Sequence, residues 1–394
     1  MKQAKAHSTE ATGEQPIEAE AEAEAGAGGR FSVKPLLRLM AEKNASDLFF
    51  TSHAPIKIKI EGVIYPVNRQ VLTAEAVRQI AFSLMSAEQL EHFNDQLEID
   101  FAISEPGVGR FRAAVFYQRG YPAIVLRYIS VNIPRLEQLG LPAVLPDLAL
   151  MKRGLVLMVG ATGSGKSTTL AAMVNHRNET SSDHILTIED PVEFLHANKK
   201  SIINQREVGL DTRSFARALR GAMRAAPDVI LIGEIRDRET MESAITLAGT
   251  GHLVLSTLHA NNCAETLDRI INMFPRDQHA QIFLDLSQYL RAIVSQRLVR
   301  GRNGKRCAAR LVRGRNGKRC AAVEVMMNTP HMQDLIKKGD IIGVKEGMLT
   351  TSERGMQTFD SALLGLYRDN RIDIEEALNN ADSRTNLEAR INFG

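Results

Sequence analysis

Two periodicities take turns along the 394 residues. Apolar positions Val33, Leu36, Leu37, Leu39 and Met40 recur at helical spacing and predict a helix over Phe31–Lys43. Ser46–Thr51 predicts a short strand. Ile56-Lys-Ile-Lys-Ile60 alternates with period two, and Glu61-Gly62 turns it back into Val63–Val67. Thr73 heads a helix with Ala76, Val77, Ile80 and Leu84 on one face, and Ser86-x-x-Gln89 opens a second helix with a capping box. Strands over Leu97–Ile103, Arg110–Tyr117 and Ala123–Ile129 complete a small α+β domain, residues 30–132. Residues 133–150 carry Pro134, Pro142 and Pro146 and predict a linker whose leucines pack on a neighbour.

From residue 151 strands and helices alternate. The strands are Leu155–Val159, His184–Ile188, Asp228–Glu234 and His252–Leu258. The helices are Leu170–Val174, Ser214–Arg224, Thr240–Ala248, Ala264–Met273 and a long one over Gln278–Gln296, with three or four short ones over Thr329–Asn380. Alternation of this kind predicts an α/β domain, residues 151–394, with a mostly parallel sheet covered by helices.

Composition changes this picture in three places. Residues 1–29 carry six Glu among Ala and Gly with almost nothing to bury, and predict a disordered acidic tail. The net charge of +3 hides a block of ten Lys/Arg and no acid over residues 297–322, where RLVRGRNGKRCAA (297–309) recurs unchanged at 310–322. One copy reads as a basic hairpin; two read as an insertion tolerated in a surface loop. Because the basic excess sits in that one block, no nucleic-acid partner is expected. The cysteines (Cys263, Cys307 and Cys320) form no C-x-x-C pair, so neither a cysteine zinc site nor a disulfide framework is expected, which fits a reducing cytosol. No apolar run reaches 18 residues, so no membrane span is expected.

The chemistry centres on Gly160-Ala161-Thr162-Gly163-Ser164-Gly165-Lys166-Ser167-Thr168, between an apolar strand and a helix. Its G-x-x-x-x-G-K-S spacing is that of a phosphate-binding loop. Glycines bend the backbone so that N–H groups converge on an anion, Lys166 neutralises the β- and γ-phosphates, and the Ser167 hydroxyl ligates Mg²⁺. A triphosphate is therefore the expected ligand, and hydrolysis needs a metal shell and an oriented water as well. Glu234 ends an apolar strand and can hold the metal shell, although Gly233 rather than Asp precedes it. Glu189-Asp190-Pro191-Val192-Glu193 gathers three carboxylates at a strand end, with Glu193 the candidate for polarising water. His252 and His259 flank one strand, and His259 follows Ser256-Thr257-Leu258, where γ-phosphate sensors sit. In the first domain Arg110 and Arg112 share a strand face with Arg127 nearby: a solvated basic surface, or side chains that reach a phosphate.

Four segments taken together are more specific. GATGSGKSTT (160–169), LTIEDPVEFLH (186–196), DVILIGEIRD (228–237) and GHLVLSTLHA (251–260) resemble, in order and spacing, the Walker A, Asp box, Walker B and His box of the secretion ATPases of type II secretion and type IV pili. The resemblance runs over residues 31–394 and is nearest the retraction branch, the PilT/PilU group, because the N-terminal region is short and the paired C-x-x-C insert is absent. The end of the chain, GMQTFDSALLGLY (355–367) and NNADSRTNLEARI (379–391), is more similar to PilU than to PilT. Pro330-His-Met-Gln-Asp-Leu-Ile336 stands where PilT has an Ala-Ile-Arg-Asn-Leu-Ile motif.

The resemblance implies a P-loop, RecA-like C-terminal domain, a PAS-like N-terminal domain, a homo-hexamer, and ATP with Mg²⁺ between the domains. It implies active-site roles for Lys166, Ser167, Glu193, Glu234, His252 and His259, and phosphate contact by Arg110, Arg112 or Arg127. It also implies a cytoplasmic motor, peripheral at the inner membrane, that acts on a pilus platform protein beside a PilT-like retraction ATPase. An extension or type II secretion ATPase of the same fold is the alternative, and a non-motor nucleotide-binding subunit is the alternative of another class.

Overall fold

The structure, a computed structural model, describes residues 32–60, 62–129, 132–302, 319–350 and 355–393. The acidic tail, Phe31, Glu61 and residues 303–318 of the tandem copy lie outside the described residues. The chain divides into two units between Ile129 and Ser130.

The first unit runs α1 (Lys34–Lys43), β1 (Asp47–Phe50), β2 (Pro55–Ile60), β3 (Val63–Val71), α2 (Ala74–Leu84), α3 (Ala87–Gln96), β4 (Glu98–Glu105), β5 (Gly109–Gln118) and β6 (Tyr121–Ile129). Its strands form one antiparallel sheet in the order β3-β2-β1-β6-β5-β4. The Thr73 cap and the Ser86–Gln89 capping box form as their spacing predicts. Leu97 ends α3 in the left-handed region, φ 64°, instead of opening β4. Strand period two turns Phe111, Ala113 and Val115 of β5 inward, which leaves Arg110 and Arg112 on the opposite face.

The second unit opens with a single-turn 3₁₀ helix, Leu136–Leu139, and α4 (Val144–Ala149). The leucines of this proline-marked stretch, Leu136, Leu139, Leu145 and Leu148, are buried in a core cluster of the second unit. Next come β7 (Gly154–Val159), α5 (Lys166–Thr180), β8 (His184–Glu189), β9 (Ile202–Glu207), α6 (Phe215–Ala222), β10 (Val229–Ile232), α7 (Arg238–Gly249), β11 (Leu253–Leu258), α8 (Cys263–Asn272), α9 (His279–Tyr289), β12 (Leu290–Arg300) and β13 (Arg319–Met327). Helices α10 (Pro330–Lys338), α11 (Ile341–Thr350), α12 (Phe359–Arg368), α13 (Ile374–Asn379) and α14 (Arg384–Phe393) close the chain.

The sheet order is β13-β12-β7-β11-β10-β8-β9, with every pair parallel except the β12–β13 edge pair. Leu155, Leu157 and Val159 of β7 pack into one buried cluster and Val156 and Met158 into another, so both sheet faces are covered and the strand reads as a continuous apolar run. No helix among the described residues is long and apolar enough to cross a membrane.

The long helix expected over 278–296 is corrected to helix α9 followed by strand β12. Ile282, Leu286, Leu290, Ile293 and Val294 keep helical spacing across the boundary, which conceals it. What decides the strand is non-local: β12 pairs with β7 on one side and β13 on the other and is buried on both faces. The edge strand β9 was not foreseen either. Cys263 is a free, buried thiol.

Candidate functional site

The loop from β7 to α5 takes its shape from three glycines in the left-handed range: Gly160 (φ 139°), Gly163 (φ 78°) and Gly165 (φ 91°). Gly160 is also fixed by close approach. A Cβ there would lie 2.4 Å from the Gln296 carbonyl oxygen and 2.7 Å from Ser164 Oγ. Gly165 is the N-cap of α5, so Lys166 opens the helix, and the helix N-terminus with its unpaired N–H groups faces the loop. Lys166 Nζ donates to the carbonyls of Gly160 (2.7 Å) and Ala161 (3.0 Å). Burial lowers the pKa of this ammonium, while the charges of Glu234 and Glu193 oppose the shift.

A cleft of about 440 Å³ opens in front of the loop. Thr162, Gly163, Gly165, Lys166, Ser167 and Thr168 line one wall. Glu189, Asp190, Glu193, Glu234, Arg236 and His259 line the other. Of the other loop residues, Gly160 and Ala161 offer their carbonyls to Lys166 Nζ and Ser164 its carbonyl to the Gln296 amide. The acidic wall stands at the C-terminal ends of β8, β10 and β11, where ligands of open α/β sheets bind.

Glu189, the last residue of β8, is half-buried; desolvation raises its carboxyl pKa against hydrogen bonds from Thr187 Oγ1 (2.7 Å) and Gln205 Nε2 (3.3 Å). The Asp190–Pro191 peptide is cis, and Val192 N donates to Glu207 Oε2 at 3.1 Å, so the turn presenting Glu193 is tied to β9. Gly233, which stands where an acid was looked for, has a steric reason: a Cβ there would come within 3.1 Å of Glu189 Cα and 3.3 Å of the Ile188 carbonyl oxygen. Glu234 uses both oxygens. Oε1 meets His259 Nε2 at 3.0 Å, and Oε2 meets the Arg236 guanidinium at 2.7 and 2.9 Å.

His252 is a correction, because the structure does not bring it to this cleft. It sits just before β11, with Nδ1 3.1 Å from the Leu247 carbonyl oxygen, and the strand's six residues (about 20 Å at the strand rise) lie between it and His259. In the first unit Arg112 and Arg127 are direct cross-strand neighbours, each on a carboxylate: Arg112 on Asp100 (2.7 Å) and Arg127 on Asp47 (2.9 Å). Arg110 lies two residues along from Arg112.

Two cleft residues, and one residue buried behind the loop, escaped the sequence reading. Arg236 holds Glu234. His196, at the end of the Glu189–His196 motif, lines the cleft, with its pKa lowered to about 4 by burial and by Lys199. Gln296 is fully buried behind the loop. Arg236 and His196 stood inside the quoted motifs and could have been named; Gln296 lay in a stretch read as helix and carried no signal.

The sequence model of the type II/IV secretion system protein family matches residues 25–364. Among curated proteins, the chain is 50% identical to the type IV pilus ATPase PilU of Pseudomonas aeruginosa over 359 residues, 91% of each chain. It is 40% identical to the retraction ATPase PilT of the same organism over 345 residues, 88% of this chain and 96% of the relative. Among solved structures, the pilus retraction motor PilT with bound ADP superposes with a TM-score of 0.81 at 40% identity, covering 90% of this chain and 98% of that one.

Proposed function

We propose that this chain, which belongs to the type II/IV secretion system protein family, binds ATP in the cleft between the Lys166 loop and Glu234, and that cleavage there drives retraction of a type IV pilus. It is an ATPase of the PilT/PilU retraction group. The observation that carries the nucleotide reading is the opposition of Lys166 and Ser167 on one wall to Glu193, Glu234 and His259 on the other.

The residues fit a triphosphate and its metal. Three positive-φ glycines leave the loop without side chains where an anion would approach, and Lys166 holds two loop carbonyls that phosphate oxygens would replace as its partners. Mg²⁺ would be held by Ser167 and by the Glu234 side, and when bound it would neutralise phosphate charge. Glu193 lines the cleft with acceptor oxygens that can orient and polarise a water toward the γ-phosphate. His259 lines the cleft with its Nε2 on Glu234, and in this reading it senses whether the γ-phosphate is present. In this reading Arg110, Arg112 and Arg127 supply positive charge to the phosphates, and Arg112 and Arg127 exchange Asp100 and Asp47 for them.

The working form in this reading is a homo-hexamer in the cytoplasm, at the inner membrane through a pilus platform protein and beside a PilT-like retraction ATPase. Higher identity to PilU than to PilT supports the PilU-like reading of the chain. The test counts surface pili in a deletion strain. Hyperpiliation corrected by the wild-type gene and not by Lys166→Ala is expected; a bald strain would mean extension instead. ATPase assays of the purified protein, alone and with the partner, separate a motor from a subunit that only binds nucleotide.

A further inference from the structure

We infer that Gln296 is a positioning residue for the nucleotide reaction. From β12 it locks the phosphate-binding loop to the first turn of α5, so that Lys166 and Ser167 meet the phosphates in fixed register. The inference rests on the reading that ATP is held by this loop.

Strand register brings Gln296 to the loop. Ser295 of β12 pairs with Val159 of β7, so the next residues along, Gln296 and Gly160, lie side by side. The Gln296 backbone carbonyl occupies the space that a side chain at Gly160 would need. The side chain then uses both ends of its amide. Nε2 donates to the Ser164 carbonyl at 2.8 Å, and Oε1 accepts from Thr169 Oγ1 at 2.9 Å.

Ser164 stands two residues before Lys166 and Thr169 three after it, so the amide brackets the stretch that would grip phosphate. Gln296 is 0% exposed, and no water competes for these bonds. One bond calls for a donor and the other for an acceptor, a pairing that a neutral amide supplies and a carboxylate does not. Leucine would leave the Ser164 carbonyl and the Thr169 hydroxyl short of partners in a buried place, free to drift apart.

The experiment measures the Kd of a fluorescent ADP analogue and kcat and KM for Mg-ATP in wild type, Lys166→Ala, Gln296→Leu, Gln296→Glu and Thr169→Val. Gln296→Leu and Gln296→Glu are each expected to raise Kd and KM about tenfold, with kcat at saturating ATP falling much less. Thr169→Val, which keeps the Ser164 bond, is expected to raise them about threefold. The double variant Thr169→Val with Gln296→Leu is expected to match Gln296→Leu alone, because one removed bond is common to both. A purely structural glutamine would lower the melting temperature and leave the Kd of the folded protein at the wild-type value, and that result overturns the inference. If Gln296→Leu does not fold, Gln296→Glu and Thr169→Val decide it, and wild-type Kd and KM in both overturn it. Wild type that binds ADP, with Lys166→Ala that does not, keeps the functional reading standing whatever Gln296 does. Wild type that binds no ADP overturns both.

Discussion

His259 Nε2 and Glu234 Oε1 lie 3.0 Å apart, joining the C-terminal ends of two neighbouring parallel strands. A carboxylate only accepts, so Nε2 carries the proton of this bond and Nδ1 is left for another partner. Glu234 is fixed from its other side by Arg236.

His259→Ala is expected to cut ATP turnover more than about tenfold while ADP affinity changes little, because the loop holds ADP from the opposite wall. His252→Ala is expected to cost less than about threefold, since His252 bonds to the Leu247 carbonyl at the far end of the strand. Steady-state kinetics of the two variants side by side decides it; equal losses would put His252 back among the phosphate-side groups.

Glu193 lines the cleft from the turn anchored by the Val192–Glu207 hydrogen bond. Glu193→Gln keeps shape and polarity and removes the charge that polarises water. ATP binding is expected to survive with turnover down about a hundredfold or more. Undiminished hydrolysis would remove Glu193 from the water-polarising role.

Arg127 is two-thirds exposed on a buried Asp47, and Arg112 is one-third exposed on Asp100. The Arg112–Asp100 pair is screened by solvent, so Arg112→Ala is expected to cost less than about 1 kcal/mol of stability. Arg127→Ala takes a hydrogen bond from the buried Asp47 carboxylate and is expected to cost about 1–3 kcal/mol. A large fall in ATPase activity of the folded variant then reports phosphate contact; unchanged activity in both variants would restore the reading of a solvated basic face.

The parts of the site legible in the sequence are those whose function depends on neighbours along the chain. Lys166 and Ser167 are set by the glycines a few residues before them, and Glu234 by the apolar strand it ends. The illegible parts depend on partners far away in sequence. Gln296 reaches Thr169 across 127 residues and Ser164 across 132, and it lies in a strand whose apolar spacing imitates a helix. His252 and His259 flank one strand, and the motif they share gives both active-site roles, yet of the two only His259 lines the cleft. Strand period two puts Arg110 and Arg112 on one face, but the pairing of Arg112 with Arg127, and their carboxylates Asp100 and Asp47, depend on strands that only the sheet order brings together.

The tandem copy gives a further expectation. β12 and β13 pair as Arg297↔Ala322, Leu298↔Ala321, Val299↔Cys320 and Arg300↔Arg319, the first strand from one copy and the second from the other. Deleting 306–318 keeps each of these residues and shortens the connection from 18 residues to Gly301-Arg-Asn-Gly-Lys305. Closing the shorter connection costs less entropy, so stability is expected to rise by about 1 kcal/mol. Urea unfolding in a reducing buffer measures it; a large loss would mean that the second copy contributes contacts of its own.

The last expectation concerns pH. Glu324 of β13 accepts from Cys263 N at 2.8 Å and is otherwise enclosed. Burial raises its carboxyl pKa from 4.5 to about 6, with Asp382 adding to the rise and Cys263 and Arg297 opposing it. Between those values the folded chain holds more protons at this site than the unfolded chain, so its contribution to stability falls as pH climbs through the window. Above pH 6 the cost is complete, on the order of 2 kcal/mol. Glu324→Gln keeps an acceptor for Cys263 N–H and removes the titration. The variant is therefore expected to match wild type near pH 4.5 and to be more stable by about 1–2 kcal/mol at pH 8. Denaturant unfolding of both proteins across that range checks the sign, and a difference that stays constant with pH would mean that the carboxyl is not the group that titrates.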